Sequence, residues 1–265
     1  MSIHPTAIVS EKAEIAPGVE IGPYSVIGPE VKIGEGTRIG GHVVVEGATR
    51  IGARCRIGHG ACLGTLSQDK KMKEERSVLV VGDDNIFREH VTVNGGHSPH
   101  APTVIGNKNF IMIGCHVAHE CVLGNEITMS NNTVLAGHVA VEDHAVISGL
   151  VGVHQFVRIG KFAMIGGLSK AVMDIPPFSV CDGHPASFYG VNAIGLKRAG
   201  FKAEEIFKIK KALKTLFASK SNLARAVKKV QTEFKDNENI RHILSFIENS
   251  KRGICRAGAV ETGEE

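Results

Sequence analysis

Thirteen of the 265 residues are histidines, and four of them stand among neighbours that suit proton transfer. His116 and His119 lie in the run Cys115-His116-Val117-Ala118-His119-Glu120-Cys121, His138 follows Gly137, and His154 precedes Gln155. Imidazole titrates near neutrality, so an unprotonated histidine can serve as a general base at physiological pH. A glycine stacked over such a base leaves an unobstructed backbone N–H that can hold an oxyanion. No serine or cysteine stands where a covalent nucleophile is expected, because Cys115 and Cys121 have an interior phase. These residues suit direct transfer, in which the base deprotonates an acceptor hydroxyl.

The element that must position them is a six-residue repeat. From Ile3 every sixth residue to Leu63 is Ile, Val or Leu. The series resumes at Val81 without changing phase and stays apolar to Ile165, broken only at Pro99. The position four later is small or β-branched, as at Ala7, Ser25, Val43, Cys55, Cys115, Cys121 and Ala163. That makes Cys55, Cys115 and Cys121 core filler rather than metal ligands or disulfide partners. A period of six implies a β-solenoid with three hexads per coil. Roughly nine coils stacked at about 4.8 Å would build a prism about 40 Å long. Glycine after the apolar residue (Gly22, Gly28, Gly34, Gly40, Gly52, Gly58) suits a turn at each corner. The period is silent about hand.

Phase then sorts the histidines. His116, His119, His138 and His154 occupy neither interior position, so each should face outward. Eighteen residues make one coil, which sets Gly137 over His119 with His138 beside it and His154 near the same column two coils on. Two stretches leave the pattern while keeping phase, 65–77 and 94–103, and loops on a rigid scaffold commonly carry binding groups. The solenoid is expected to end near Asp174-Ile175-Pro176-Pro177, where proline stops ladder bonding. Helical patterning follows over Ala203–Ser219, then from a Ser221 cap through Phe234, then from an Asp236 cap to about Lys251. The reading divides the chain into a β-helix, 1–188, and a helical domain, 189–265, with a loose tail from Gly253. Between Lys202 and Lys235 ten Lys or Arg face three Glu, which suits an acidic partner.

Composition bounds the rest. The formal net charge of +4 does not argue for nucleic acid, and no apolar run reaches the ~18 residues of a membrane span. Met1-Ser2-Ile3-His4-Pro5 has no basic and apolar leader, and the six cysteines form no CxxC pair. A reduced cytoplasmic setting is expected.

With these residues in view, the chain resembles the hexapeptide-repeat UDP-N-acetylglucosamine 3-O-acyltransferases of lipid A synthesis. The resemblance rests on Gln68-Asp69-x-Lys71, His116-x-Ala118-His119-Glu120, Leu135-Ala136-Gly137-His138-Val139, Val153-His154-Gln155-Phe156 and Asn192-x-x-Gly195-Leu196-Lys197-Arg198. It implies a left-handed parallel β-helix with a small α-helical C-terminal domain, assembled as a homotrimer with sites between subunits. It implies transfer of a 3-hydroxyacyl group from acyl-carrier protein to the 3-position of UDP-N-acetylglucosamine or a 3-amino analogue. On that resemblance His119 is the base and the Gly137 N–H holds the oxyanion. Gln68, Asp69, Lys71, His116 and His138 line the sugar and acyl region. His154, Gln155, Asn192 and Arg198 contact the nucleotide or the phosphopantetheine arm. Gly149 borders the substrate, and Gly167 floors the acyl pocket. No metal and no resident cofactor are implied, the donor being the 4'-phosphopantetheine thioester of the carrier protein.

Several positions depart from the family pattern. Glu120 replaces Asp, Asn94-Gly95-Gly96 replaces a His-x-Gly, Ile194 replaces Glu and Ala199 replaces Arg. In an extended strand the Glu120 side chain would point away from His119, so no dyad is expected between them. Four rivals remain in view, one of them a non-catalytic β-helix scaffold, which would bind no acyl donor. A related N-acyltransferase carries an extra uridine-binding domain, for which a repeat starting at Ile3 leaves no room. A coenzyme A-dependent sugar acetyltransferase would lack the Gln68-Asp69-x-Lys71 loop. A zinc hydratase of γ-carbonic-anhydrase type spaces two ligands five apart, whereas His116 and His119 are three apart.

Overall fold

The computed structural model describes residues 2–70, 77–217 and 222–257. Lys71 and Ser221 lie outside them. The hexads form two-residue strands that stack in parallel with a register of eighteen, as in Ser2 beside Glu20 and Ile3 beside Ile21. Among the described residues they make three faces of eleven, nine and eight strands. Strands such as Phe110–Ile111 build the first face, His116–Val117 the second and Val122–Leu123 the third.

Alternation drives the closure. In each strand the apolar residue turns inward, so Ile21, Ile57, Ile111, Leu135 and Ile165 form a buried ladder. Burying each such side chain stabilises the fold by roughly 1.5–3 kcal/mol before conformational entropy is counted. Cys55, Cys115 and Cys121 are buried in the same interior. Several polar residues at that position are satisfied by backbone carbonyls. Ser25 donates to the Gly40 carbonyl, Thr37 to Gly52 and Thr133 to Ser148, at 2.8, 2.8 and 2.7 Å.

The corner glycines have a different cause from the one their position suggested. The left-handed backbone belongs to the residue two further on, for example Tyr24, His42, His138 and Phe156. Gly22, Gly34 and Gly58 are needed because a Cβ there would come within 2.6, 2.5 and 2.7 Å of backbone carbon in the next coil.

Both excursions leave at the corner between the second and third faces. The first separates strands Cys62–Thr65 and Val78–Val81, the second Thr92–Asn94 and Thr103–Ile105. The second is pinned to the first, with Val78 and Gly96 exchanging backbone bonds of 3.0 and 2.9 Å.

The prism runs past the two prolines. Strand Ser179–Gly183 still stacks in parallel on Met164–Ile165, then turns back antiparallel along Ala186–Val191. Pro176 and Pro177 precede that strand rather than interrupting it, so no ladder bond is lost. Among the described residues four helices follow: α1 (Ala193–Arg198), α2 (Ala203–Phe217), α3 (Leu223–Glu233) and α4 (Glu238–Glu248). Helix α2 buries Ile209, Leu213 and Leu216. Asn222 and Asn237, not Ser221 and Asp236, cap α3 and α4, accepting bonds from the Ala224 and Ile240 N–H groups. Of the tail expected to be loose, residues 254–257 are described, and Ile254 and Cys255 are strapped down; 258–265 lie outside the described residues. Ile254 and Cys255 are buried, and the Cys255 N–H donates to the Asp174 carbonyl at 2.8 Å.

Candidate active site

The corner that carries the excursions also carries the histidines. His116, Val134 and Gly152 pair in register on the second face, and the chain then turns through His119, Gly137 and Gln155 in successive coils. An open cleft of about 660 Å³ lies there. Gln68, Asp69, His116, His119, Gly137, His138 and Gln155 line it, joined by Asn94 and Phe156.

His119 is largely enclosed, its side chain 13% exposed against 38% for His138. Its Nδ1 lies 3.1 Å from Oε2 of Glu120, a dyad that extended-strand geometry does not lead one to expect. The reason is local backbone: Glu120 sits at φ +56° in the corner turn, not in a strand, and this swings its side chain beside its neighbour's. The Glu120 carboxylate also meets Nδ1 of His97 at 2.7 Å and Nε2 of His138 at 2.9 Å. Burial alone would push this carboxyl up. The hydrogen bond from His119 and the charges of His138 and His97 outweigh burial and hold it below its ordinary value. A carboxylate on Nδ1 fixes the proton there and leaves Nε2 as the basic nitrogen.

That nitrogen faces Gly137. A Cβ on Gly137 would lie 2.5 Å from Cε1 and 2.6 Å from Nε2 of His119. Only glycine therefore allows the ring to sit flush against this peptide. Among the described residues the Gly137 N–H has no acceptor, so it remains available to a ligand oxygen. His116 holds Thr92 Oγ1 through Nδ1 at 2.8 Å, leaving its other nitrogen for the cleft. Burial, reinforced by His119, keeps His116 below its ordinary pKa. Burial does the same to His138, against the pull of Glu120. The His138 ring stacks on Phe156 at 4.5 Å.

Other expected residues lie elsewhere in the chain. His154 is exposed, its Nδ1 3.3 Å from the Gln155 carbonyl, and does not line the cleft. Gly149 and Gly167 stack at the corner between the first and second faces, where a Gly167 Cβ would meet the Gly149 carbonyl at 3.5 Å. Asn192 is buried as the cap of α1, accepting from the Gly195 N–H and donating to the Phe162 carbonyl, both at 3.0 Å. Arg198 is exposed at the end of α1. Phe156 was legible as the third member of an eighteen-residue series, since Glu120, His138 and Phe156 share the left-handed corner. His97 carried no such signal, because its loop is out of register with the coils. Ligand atoms of His97, His119 and Glu120 lie within 4.8 Å of one another, a spacing that a metal ion could bridge.

A parallel β-helix with a carboxylate-held histidine and a free glycine N–H at one corner belongs with the hexapeptide-repeat transferases. Residues 174–255 match the family described as Udp N-acetylglucosamine O-acyltransferase, Domain 2, and residues 3–102 match the GMPPB C-terminal domain. The acyl-[acyl-carrier-protein]–UDP-N-acetylglucosamine O-acyltransferase of Thermodesulfovibrio yellowstonii is 50% identical over 255 residues, covering 96% of this chain and 99% of that one. The Thiobacillus denitrificans enzyme of the same name is 44% identical over 256 residues, with coverage of 96% and 99%. Among solved structures, the UDP-N-acetylglucosamine acyltransferase of Bacteroides fragilis superposes with a TM-score of 0.93 at 38% identity, covering 96% of this chain and 99% of that one. This chain belongs to the acyl-[acyl-carrier-protein]–UDP-N-acetylglucosamine O-acyltransferase family, and its fold is the left-handed β-helix with a helical end.

Proposed function

We infer that this protein transfers an acyl group from acyl-carrier protein to the 3-hydroxyl of UDP-N-acetylglucosamine, in lipid A biosynthesis. The observation that carries the reading is His119, held by Glu120 through Nδ1 and pressed by its Nε2 edge against Gly137. Nε2 takes the proton of the sugar hydroxyl as that oxygen attacks the thioester carbonyl. The Gly137 N–H donates to the tetrahedral oxyanion. Collapse breaks the carbon–sulfur bond, and the imidazolium returns its proton to the departing phosphopantetheine thiolate. The sequence of steps balances without a resident cofactor or metal.

Gln68, Asp69, Lys71, His116, His138 and Gln155 would hold sugar and acyl groups around that centre. Gly149 and Gly167 sit on another corner of the same chain and Asn192 and Arg198 at the two ends of α1, so their use calls for neighbouring chains. A homotrimer with sites between subunits would supply it, with Gly167 limiting chain length and His154, Asn192 and Arg198 reaching the nucleotide. The exposed bases of α2 and α3, including Lys210, Lys214, Lys228 and Lys229, would meet the acidic carrier protein. Among the described residues no helix is long and apolar enough to cross a membrane, and a cytoplasmic location is part of this proposal.

The test is mass-spectrometric detection of product. UDP-N-acetylglucosamine or its 3-amino analogue is offered with 3-hydroxyacyl carrier proteins of graded length, beside a His119→Ala control. Acylated sugar nucleotide that disappears in the control supports the reading and fixes acceptor and chain length. No product with any donor refutes it.

A further inference from the structure

The reaction above uses His119, Glu120 and Gly137 and leaves His97 without a task. His97 is delivered by the second excursion, whose seating is tightly specified. Asn94 Nδ2 donates to Thr65 Oγ1 and to the Leu66 carbonyl, both at 2.9 Å. Gly95 N–H donates to the Thr65 carbonyl at 3.0 Å. A Cβ on Gly95 would fall 1.9 Å from Ser77 Oγ, and one on Gly96 the same distance from the Ala101 carbonyl oxygen. The run Asn94-Gly95-Gly96 is thus what lets this loop lie against the corner, and its next residue is His97.

From there His97 reaches the oxygen of Glu120 that His119 does not use. Its Nδ1 is 2.7 Å from Oε1, while Oε2 takes His119 and His138. The two rings of His97 and His119 are 5.0 Å apart, on the same carboxylate. Glu120 is only 9% exposed, so an oxygen deprived of its donor would find little water to replace it. The Nε2 of His97 is enclosed and has no hydrogen-bond partner among the described residues. An enclosed lone pair is tolerated more readily than an enclosed N–H, which puts the His97 proton on Nδ1, where it donates to Oε1. Glu120 has three side-chain torsions and could otherwise swing away from the base.

We propose that His97 is a positioning residue for the transfer, donating its Nδ1 proton to Oε1 of Glu120 and so holding Oε2 against Nδ1 of His119. The proposal rests on the reading of His119 as the base. The same atoms could hold a zinc ion, and that alternative is an outcome of the test.

The experiment compares His97→Phe, His97→Asn and Glu120→Gln, with the His97→Phe/Glu120→Gln double variant, on the full chain with acyl-carrier-protein donor. Phenylalanine keeps the ring and removes the donor; asparagine can set an amide N–H where Nδ1 stood. The expected result for His97→Phe is a fall in kcat of ~10–100-fold, with both KM values within about threefold of wild type, as expected for a group that acts on the transition state. His97→Asn should recover most of that loss, and the double variant should be no slower than Glu120→Gln by more than about twofold. Losses that multiply in the double variant would mean that His97 does not act through Glu120, and would overturn the proposal. So would a His97→Phe enzyme with wild-type kcat. Stoichiometric zinc in the wild type, lost together with activity in both His97 variants and on chelation, would replace it with a metal site. If His97→Phe does not fold, His97→Ala, which also removes the donor, is combined with Glu120→Gln to give the coupling. Wild-type product with no His97 effect sinks this proposal alone, whereas absence of wild-type product sinks the assigned reaction.

Discussion

The contact between His119 and Gly137 can be challenged with one methyl group. Gly137 has no left-handed φ, so alanine fits its backbone and the added Cβ acts only through space. That Cβ would stand 2.5 Å from Cε1 and 2.6 Å from Nε2 of His119. Ordinary carbon contacts begin near ~3.5 Å, so the ring must retreat by about 1 Å. Retreat stretches the 3.1 Å bond to Glu120 and carries Nε2 away from the point where hydroxyl and thioester meet. A displacement of that size at a reacting group costs about 10²-fold in rate, equivalent to ~2.7 kcal/mol in the barrier. Steady-state kinetics of Gly137→Ala with acyl-carrier protein and UDP-N-acetylglucosamine should show the loss in kcat, with little change in either KM. Thermal stability should hold, because Gly→Ala at a compatible φ restrains the unfolded chain by ~0.4–1 kcal/mol. A variant that keeps more than a third of wild-type kcat would refute the argument, since it would mean that the ring position is not what limits the chemistry.

Stability should fall as pH drops below the ordinary imidazole range. Folded His116 and His138 titrate below their unfolded values, so the unfolded chain binds more protons there and gains on the native state, with Glu120 adding to the loss at lower pH. Melting temperature read between pH 7.5 and 5 should decline, and His116→Asn should flatten the slope; an unchanged slope would exclude His116 as a contributor. Asn192→Ala should lower unfolding free energy by about 1–3 kcal/mol in urea, since a buried helix cap and a bond to Phe162 go together. Unaltered stability would assign Asn192 to ligand alone. Lys228→Glu with Lys229→Glu should raise KM for acyl-carrier protein by roughly tenfold and flatten its salt dependence, with KM for the nucleotide unmoved. Equal effects on both KM values would place the carrier protein elsewhere.

The repeat made most of the prism legible, because an apolar residue every sixth position has a single way to hide in a three-sided interior. Gly137 over His119 followed from counting eighteen. What counting missed was the shape of the corner. Glu120 reads as a strand residue that points away from His119, and only its left-handed turn brings the two side chains together. The corner glycines were misread for the same reason, since the turn is made two residues later by Tyr24 or His42. His97 was invisible because its loop abandons the coil register, and its placement depends on long-range bonds to Thr65 and Val78. Pro176 and Pro177 suggested an end that the chain passes, and Ile254 and Cys255, read as tail, pack beneath it. Asn192 stood in a recognisable motif, but its buried capping bonds are a tertiary outcome.

Fold and site in this protein obey different arithmetic. Six extra residues in the stretch 105–117, wound in as one more side, would keep every interior position apolar. They would also carry His119 a third of a turn round the prism, away from Asn94, His97 and Gln68. Only eighteen extra residues, a whole coil, or a segment extruded from the corner, restore both. The lengths of the two excursions at this corner satisfy that rule, returning His116 beneath Val134 and above Thr92. Insertions and deletions along this chain are therefore constrained modulo six by folding and modulo eighteen by the stacking of the cleft residues, and the second constraint confines length variation to bulges at corners.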